Sequence, residues 1–208
     1  YLAQQTYQGF YWVVVCDGSA EEYQVPDCCE FVRREPKAGE TSICANLLEA
    51  IKHIPDGTTS CLVAEDDECY FPQYLAWHVE RLKTHDLVGL GQSHYYGFHN
   101  LQWRIFDNMQ HASLCNTSFN INVLPLFEEL CRGSDPYIDL AVWERWTGSK
   151  KVYPWEHIAI SPKGLWGEPG YGCGHTHNFG TFDRGLSVFQ QWFKDYAGNY
   201  PLDPTFRG

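Results

Sequence analysis

Apolar and polar positions alternate along this chain in a way that writes out strand, helix, strand, helix. The run Tyr11-Trp12-Val13-Val14-Val15-Cys16 is β-branched and apolar, and Asp17-Gly18-Ser19 closes it with turn chemistry, which predicts a strand and a loop. From Ser42 to His53, apolar residues Ile43, Leu47, Leu48 and Ile51 recur at helical spacing until Pro55-Asp56-Gly57 stops the helix. A second strand is expected at Ser60–Ala64, and a helix over Pro72–Lys83 carries Tyr74, Leu75, His78, Val79 and Leu82 along one side. Leu87–Leu90 and Asn116–Val123 read as strands, and Pro125–Cys131 and Ile138–Trp146 as helices. The chain after Pro154 reads as loop-rich, with a glycine-dense stretch from Gly164 to Gly174. Alternating strands and helices predict an α/β fold in a single domain.

The second strand ends in chemistry. Glu65-Asp66-Asp67-Glu68 follow Cys61-Leu62-Val63-Ala64 directly, and ligands of α/β sheets collect at the carboxyl ends of strands. Adjacent carboxylates repel by about 1 kcal/mol in water and about 4 kcal/mol at a partly shielded surface. A cation relieves that repulsion, and hard oxygen ligands suit Mg²⁺ or Mn²⁺, which bridge carboxylates to nucleotide phosphates. A solvated acidic turn is the alternative.

Composition narrows the classes. The 208 residues, 44% hydrophobic and 16% aromatic, suffice for one substantial core. No apolar stretch has the length of a membrane-spanning helix. A net charge of −11 argues against non-specific nucleic-acid binding. Nine cysteines, an odd number without paired CxxC spacing, favour a reducing, cytoplasmic setting.

Taken in order, Leu2-Ala3-Gln4-Gln5-Thr6-Tyr7-Gln8, Val13-Val14-Val15-Cys16-Asp17-Gly18-Ser19 and the DXD-like Glu65-Asp66-Asp67 with Phe71-Pro72-Gln73-Tyr74-Leu75 behind it resemble the nucleotide-sugar-dependent glycosyltransferases of the GT-A fold, most closely the inverting family 2 enzymes. Asp139-Leu140-Ala141-Val142-Trp143-Glu144-Arg145 is similar to that family's helix start bearing the catalytic aspartate, with Ile138 where the family usually has a second acid. The glycine-rich segment and His175 resemble its glycine loop and C-terminal metal-binding histidine. The likeness implies a Rossmann-like domain over residues 1–208, with a central, mostly parallel sheet flanked by helices and a first strand apparently missing ahead of Leu2. Residues 1–90 would form a nucleotide-binding half and residues 91–208 an acceptor-binding half.

The implied roles are these. Asp139 is the general base; as an alternative it is a first-turn aspartate favoured by the helix dipole. Asp67, Glu65 and His175 hold Mn²⁺ or Mg²⁺, although Cys173-x-His175-x-His177 also has the form of half a zinc site. Asp17, Arg33, Arg34, Glu65, Asp66, Gly172 and Gly174 face the donor, with a plain turn aspartate and a solvated arginine pair as the alternatives for Asp17 and for Arg33 and Arg34. Trp166 and Trp143 are candidates for stacking on a sugar, as are Trp103 and Trp155, with core packing as the competing role. The expected activity is transfer of a sugar from a nucleoside diphosphate donor, a UDP-sugar first among them, to a hydroxyl on a saccharide, lipid, protein or modified DNA base. A retaining GT-A enzyme, a sugar nucleotidyltransferase and a non-catalytic nucleotide- or carbohydrate-binding module are the alternatives.

Overall fold

The computed structural model describes residues 2–18, 27–98, 100–134, 137–164 and 180–200. In chain order its elements are β1 (Trp12–Cys16), β2 (Cys29–Arg33), α1 (Ser42–Ile51), β3 (Ser60–Leu62), β4 (Cys69–Tyr70), α2 (Tyr74–Leu82), β5 (Leu87–Leu90), β6 (Gln92–Gly97), β7 (Gln102–Asp107), β8 (Thr117–Asn120), α3 (Leu124–Arg132), α4 (Ile138–Arg145), β9 (Lys150–Tyr153), β10 (Ala159–Lys163), β11 (Thr181–Phe182) and α5 (Ser187–Phe193). Leu2–Gln4 forms a short 3-10 turn.

The strands divide among three ladders, with orders β1-β2, β11-β7-β6-β10-β4 and β3-β8-β5-β9. The molecule is a mixed α/β fold, but the expected mostly parallel central sheet is not what these ladders form. Parallel pairing is confined to β1–β2, β6–β10 and β5–β9, and the other five pairings are antiparallel. The physical reason lies in the connections: β6 and β7 are joined by a short loop that permits only antiparallel return, and β8 enters between β3 and β5 from the opposite direction. The two halves expected at residues 1–90 and 91–208 share their sheets. β3 and β5 from the first pair with β8 from the second, and β4 pairs with β10.

Two cores position the functional residues. In the first, Cys44, Leu47, Leu48 and Ile51 of α1 pack against Phe127, Leu130 and Cys131 of α3 and Ile138, Val142 and Trp143 of α4. Each fully buried large apolar side chain is worth about 1.5–3 kcal/mol, so α4 is fixed on this core and its first turn, with Asp139, is fixed with it. Gly89 of β5 lets the strand press onto the chain before β8, since a Cβ there would lie 2.4 Å from Ala112 Cβ and 2.7 Å from Asn116 O. The second core joins Cys69, Phe71, Tyr96, Phe98 and Ile160 to Phe189, Trp192 and Phe193 of α5. It anchors β10 behind β4.

Between β1 and β3 lies an apolar cleft of about 600 Å³, lined by Trp12, Val13, Cys61, Leu62, Leu75, Val79 and Phe127 among others. Among the described residues β1 is paired only with β2, and β3 only with β8. Each strand therefore keeps one edge without a ladder.

Candidate active site around the acidic turn

Just beyond the short strand β3, the chain turns through Asp66 and Asp67 and re-enters a sheet at β4. The turn is pinned from behind. The Glu65 amide donates to the Tyr70 hydroxyl at 2.8 Å; the Tyr70 and Tyr74 rings lie 4.5 Å apart, and the Tyr74 hydroxyl donates to the Cys115 carbonyl. Three aromatic and main-chain contacts thus hold the four acids at the end of β3.

The acids divide into two environments. Glu68 is buried and both of its oxygens are used: Lys163 Nζ donates to Oε1 at 3.0 Å, and Ser161 Oγ donates to Oε2. Ser161 and Lys163 are two apart on β10, so they point to one face of that strand. Lys163 also donates to Asp67 Oδ2 at 2.8 Å. Burial opposes its charge, but the Glu68 and Asp67 carboxylates outweigh that penalty and hold the ammonium above the ordinary lysine range.

Glu65 has no such compensation. Burial pushes its carboxyl up to about 7, and the charges of Asp67, Asp139 and Asp66 push in the same direction against the pull of Lys163. Asp139, in the first turn of α4, is therefore within electrostatic reach of Glu65. Sequence positions 65 and 139 are thus electrostatically coupled. Burial likewise lifts Glu68 to about 8, against the pull of Lys163 and of the Ser161 hydrogen bond.

Which cation could this set hold? Atoms of Glu65, Glu68 and Cys115 lie within 4.8 Å of one another. That inner trio does not suit Mg²⁺ or Mn²⁺, because Cys115 is a buried thiol held well above its ordinary pKa by burial and Glu68 is already bonded on both oxygens. Among the described residues, the oxygens of Glu65, Asp66 and Asp67 do not gather within the same span. Glu65, Asp66 and Asp67 offer carboxylate oxygens on the less buried side of the turn, and Lys163 leaves Asp67 Oδ1 to a further ligand.

Asp17 lies at the end of β1 in a satisfied network. It accepts from Ser42 Oγ and, at 3.5 Å, from Arg34, and the Ser42 hydrogen bond outweighs partial burial to lower its pKa. Arg34 is also engaged by Glu40 at 2.6 Å and Asn46 at 2.5 Å, so it is spent on its neighbours, whereas Arg33 is exposed at the end of β2.

Trp143 corrects an expectation. It is 3% exposed in the α1–α3–α4 core and donates from Nε1 to Thr117 Oγ1 at 3.1 Å, so its faces are covered by protein and cannot stack on a sugar. Trp166, Gly172, Gly174, His175 and the Cys173-x-His175-x-His177 pattern lie outside the described residues. Sequence reasoning missed Lys163, Ser161 and Cys115. The available signal was the apolar run Ile158-Ala159-Ile160 leading to Ser161, and Pro162 hid it, because proline argues against a strand. Here it is tolerated: β4 pairs only with Ala159 and Ile160, and by Pro162 the strand has β6 alone as a neighbour.

No protein-family model matches this chain, and no curated protein matches it.

Proposed function

We propose that this protein is a GT-A-type glycosyltransferase that uses Mn²⁺ or Mg²⁺ and moves a sugar from a nucleoside diphosphate to an acceptor hydroxyl with inversion. The observation that carries the reading is the electrostatic coupling of Glu65 to Asp67, Asp139 and Asp66, which together with burial holds the Glu65 carboxyl at about 7. A group of carboxylates that repel one another in a partly buried turn is costly to maintain for stability alone, and such groups mark functional sites. Glu65, Asp66 and Asp67 would hold the cation, which when bound supplies Lewis acidity and charge neutralisation at the diphosphate.

The protein side of the reaction falls to Asp139. Its carboxylate takes the proton of the acceptor hydroxyl as that oxygen attacks the anomeric carbon, while the carbon–oxygen bond to the diphosphate breaks and the diphosphate departs with the electron pair. α4 is held by its buried Ile138, Val142 and Trp143, so the base is carried on a rigid element.

Asp139→Asn tests the assignment, with transfer and donor binding measured side by side. Loss of transfer by about 10²- to 10⁴-fold with donor affinity retained is the expected result. An unchanged transfer rate rules Asp139 out as the base, and retained donor binding without transfer in the unsubstituted protein favours the binding-module alternative.

A further inference from the structure

We propose that the cleft between β1 and β3 is a slot for one further β-strand, filled by an extended, uncharged, apolar peptide segment that is not part of these 208 residues.

Both bordering strands turn alternate main-chain groups away from their ladders. In the parallel pair β1–β2, the Trp12 amide donates to the Cys28 carbonyl at 2.8 Å and the Arg34 amide to the Cys16 carbonyl at 3.0 Å. Trp12, Val14 and Cys16 therefore spend their amides and carbonyls on β2, and those of Val13 and Val15 point to the other edge. In the antiparallel pair β3–β8, the Ile121 amide donates to the Thr59 carbonyl at 2.9 Å, which puts Thr59 and Cys61 in the bonded set and turns Ser60 and Leu62 outward. On the far side of β8 the Asn120 amide donates to the Asp86 carbonyl at 2.8 Å, which fits the same alternation. Val13, Ser60 and Leu62 all line the cleft, so the two open edges border one space. Main-chain donors and acceptors are costly to leave unpaired beside apolar surface. One strand between them pairs both rows and joins two ladders into a sheet of order β2-β1-strand-β3-β8-β5-β9.

The faces of the slot are apolar on both sides. Alternate residues of the β3 segment pack oppositely, Cys61 and Val63 against the α1–α3–α4 core and Leu62 against the cluster of Tyr74 and Trp77. A strand beside β3 would lay one row of side chains on Leu47, Ile51 and Phe127 and the other on Leu75 and Val79. Asp56 is the one charged side chain in the described lining, and strands covered on both faces are near-continuous apolar runs. His78 adds a specific demand. It is buried in α2 and lines the cleft; its Nδ1 is bonded to Ser118 Oγ at 2.8 Å, while its Nε2 has no partner. A hydroxyl in the row facing α2 would supply one. The stretches of this chain outside the described ones do not have the required composition: residues 19–26 carry Glu21 and Glu22, residues 165–179 are glycine-rich, and residues 201–208 carry Pro201 and Pro204.

The test adds a capped peptide, with the core Val-Ile-Val-Thr-Val-Ile-Val between pairs of lysines for solubility, to the full chain and follows amide hydrogen exchange. Bound peptide should slow exchange at least about tenfold at Val13, Val15, Ser60 and Leu62 while leaving the already paired Val14 and Cys61 unchanged. The same peptide N-methylated at the threonine and its two neighbours keeps its side chains but loses strand donors, and should bind at least about tenfold more weakly. Val13→Pro, which spares the β2-facing groups of Trp12, Val14 and Cys16, should abolish the protection at Ser60 and Leu62. Equal binding of the N-methylated peptide, or binding without protection of the four outward amides, would mean a cleft that takes any apolar ligand and overturns the strand slot. No protection by the unmodified peptide at up to about 1 mM overturns it as well.

Discussion

Glu65 and Asp183 are two carboxylates withdrawn from water, and they are treated in opposite ways. Asp183 is buried and accepts from the Tyr96 hydroxyl at 3.0 Å, Ser187 Oγ at 3.2 Å, and the amides of Val188 and Phe189 at 2.9 and 2.8 Å in the first turn of α5. Four donors and a helix N-terminus finish its coordination. Glu65 is surrounded instead by Asp66, Asp67 and Asp139, which raise its pKa along with burial. One carboxylate is fully bonded within the fold; the other is raised by burial and by its like-charged neighbours. The difference separates an acid the fold satisfies from one it leaves under electrostatic stress, and the proposed function assigns the second to the active site.

Breaking the complete site should cost the most. Asp183→Ala leaves two amides and two hydroxyls without their acceptor, and urea unfolding should show a loss of about 3 kcal/mol, with Mn²⁺ and nucleotide affinities of the folded protein unchanged. The incomplete site should respond in the other direction. Glu65→Gln removes a charge whose carboxyl is lifted to about 7, and stability at pH 8 should rise by about 2 kcal/mol in the same assay while Mn²⁺ binding weakens. A stability loss on Glu65→Gln would place Glu65 with Asp183 among the structural acids.

Falling pH acts on the buried histidines and on the acidic turn in opposite directions. Burial holds the His78 imidazole down to about 3, and those of His94 and His157 down to about 4. Their unfolded counterparts take up protons near pH 6.5, so the stability they contribute is complete above that pH and is lost as pH falls toward the folded values. Each histidine adds a slope of about 1.4 kcal/mol per pH unit in that window. Glu65 and Glu68, raised to about 7 and about 8, act with the opposite sign over the same range and offset two of the three histidines. Thermal or urea unfolding between pH 6.5 and 5 should therefore show a net loss of about one histidine's slope, which His78→Gln should remove. The smallest effect is expected at Asp17, half-exposed and bonded to Ser42 and Arg34: Asp17→Asn should change stability by about 1 kcal/mol or less.

What could be read from the sequence was what is local. The periodicity at Ser42–Ile51 and Tyr74–Leu82, the β-branched run at Trp12–Cys16 and the acids behind Ser60–Leu62 are written in consecutive residues, and the structure has elements at each. The placing of Glu65 and Asp139 in one site was implied only by a resemblance; the structure adds their electrostatic coupling. Pairings between distant positions were not legible. Lys163 and Asp67 are 96 residues apart, and Tyr96 and Asp183 are 87 apart. Neither pairing leaves a local pattern. The aromatic stretch around His94 concealed β6 and β7 because both strands carry large residues on both faces, which erases the period-2 alternation. Trp143 shows the converse limit: its helical position was legible, but whether its ring met a core or a ligand depended on α1 and α3.

The claim that Glu65, Asp66 and Asp67 form a cation-assisted nucleotide site is tested most directly by thermal unfolding of the protein with UDP-, GDP-, ADP- and CMP-linked sugars, each with and without Mn²⁺. A ligand at about a hundred times its Kd should stabilise the folded state by about 2.7 kcal/mol, so the account predicts a rise in Tm with one nucleotide that depends on Mn²⁺ and disappears in Asp66→Asn/Asp67→Asn. An unchanged Tm with every donor in the presence of Mn²⁺, or a nucleotide-induced rise that survives in that double variant, would contradict it.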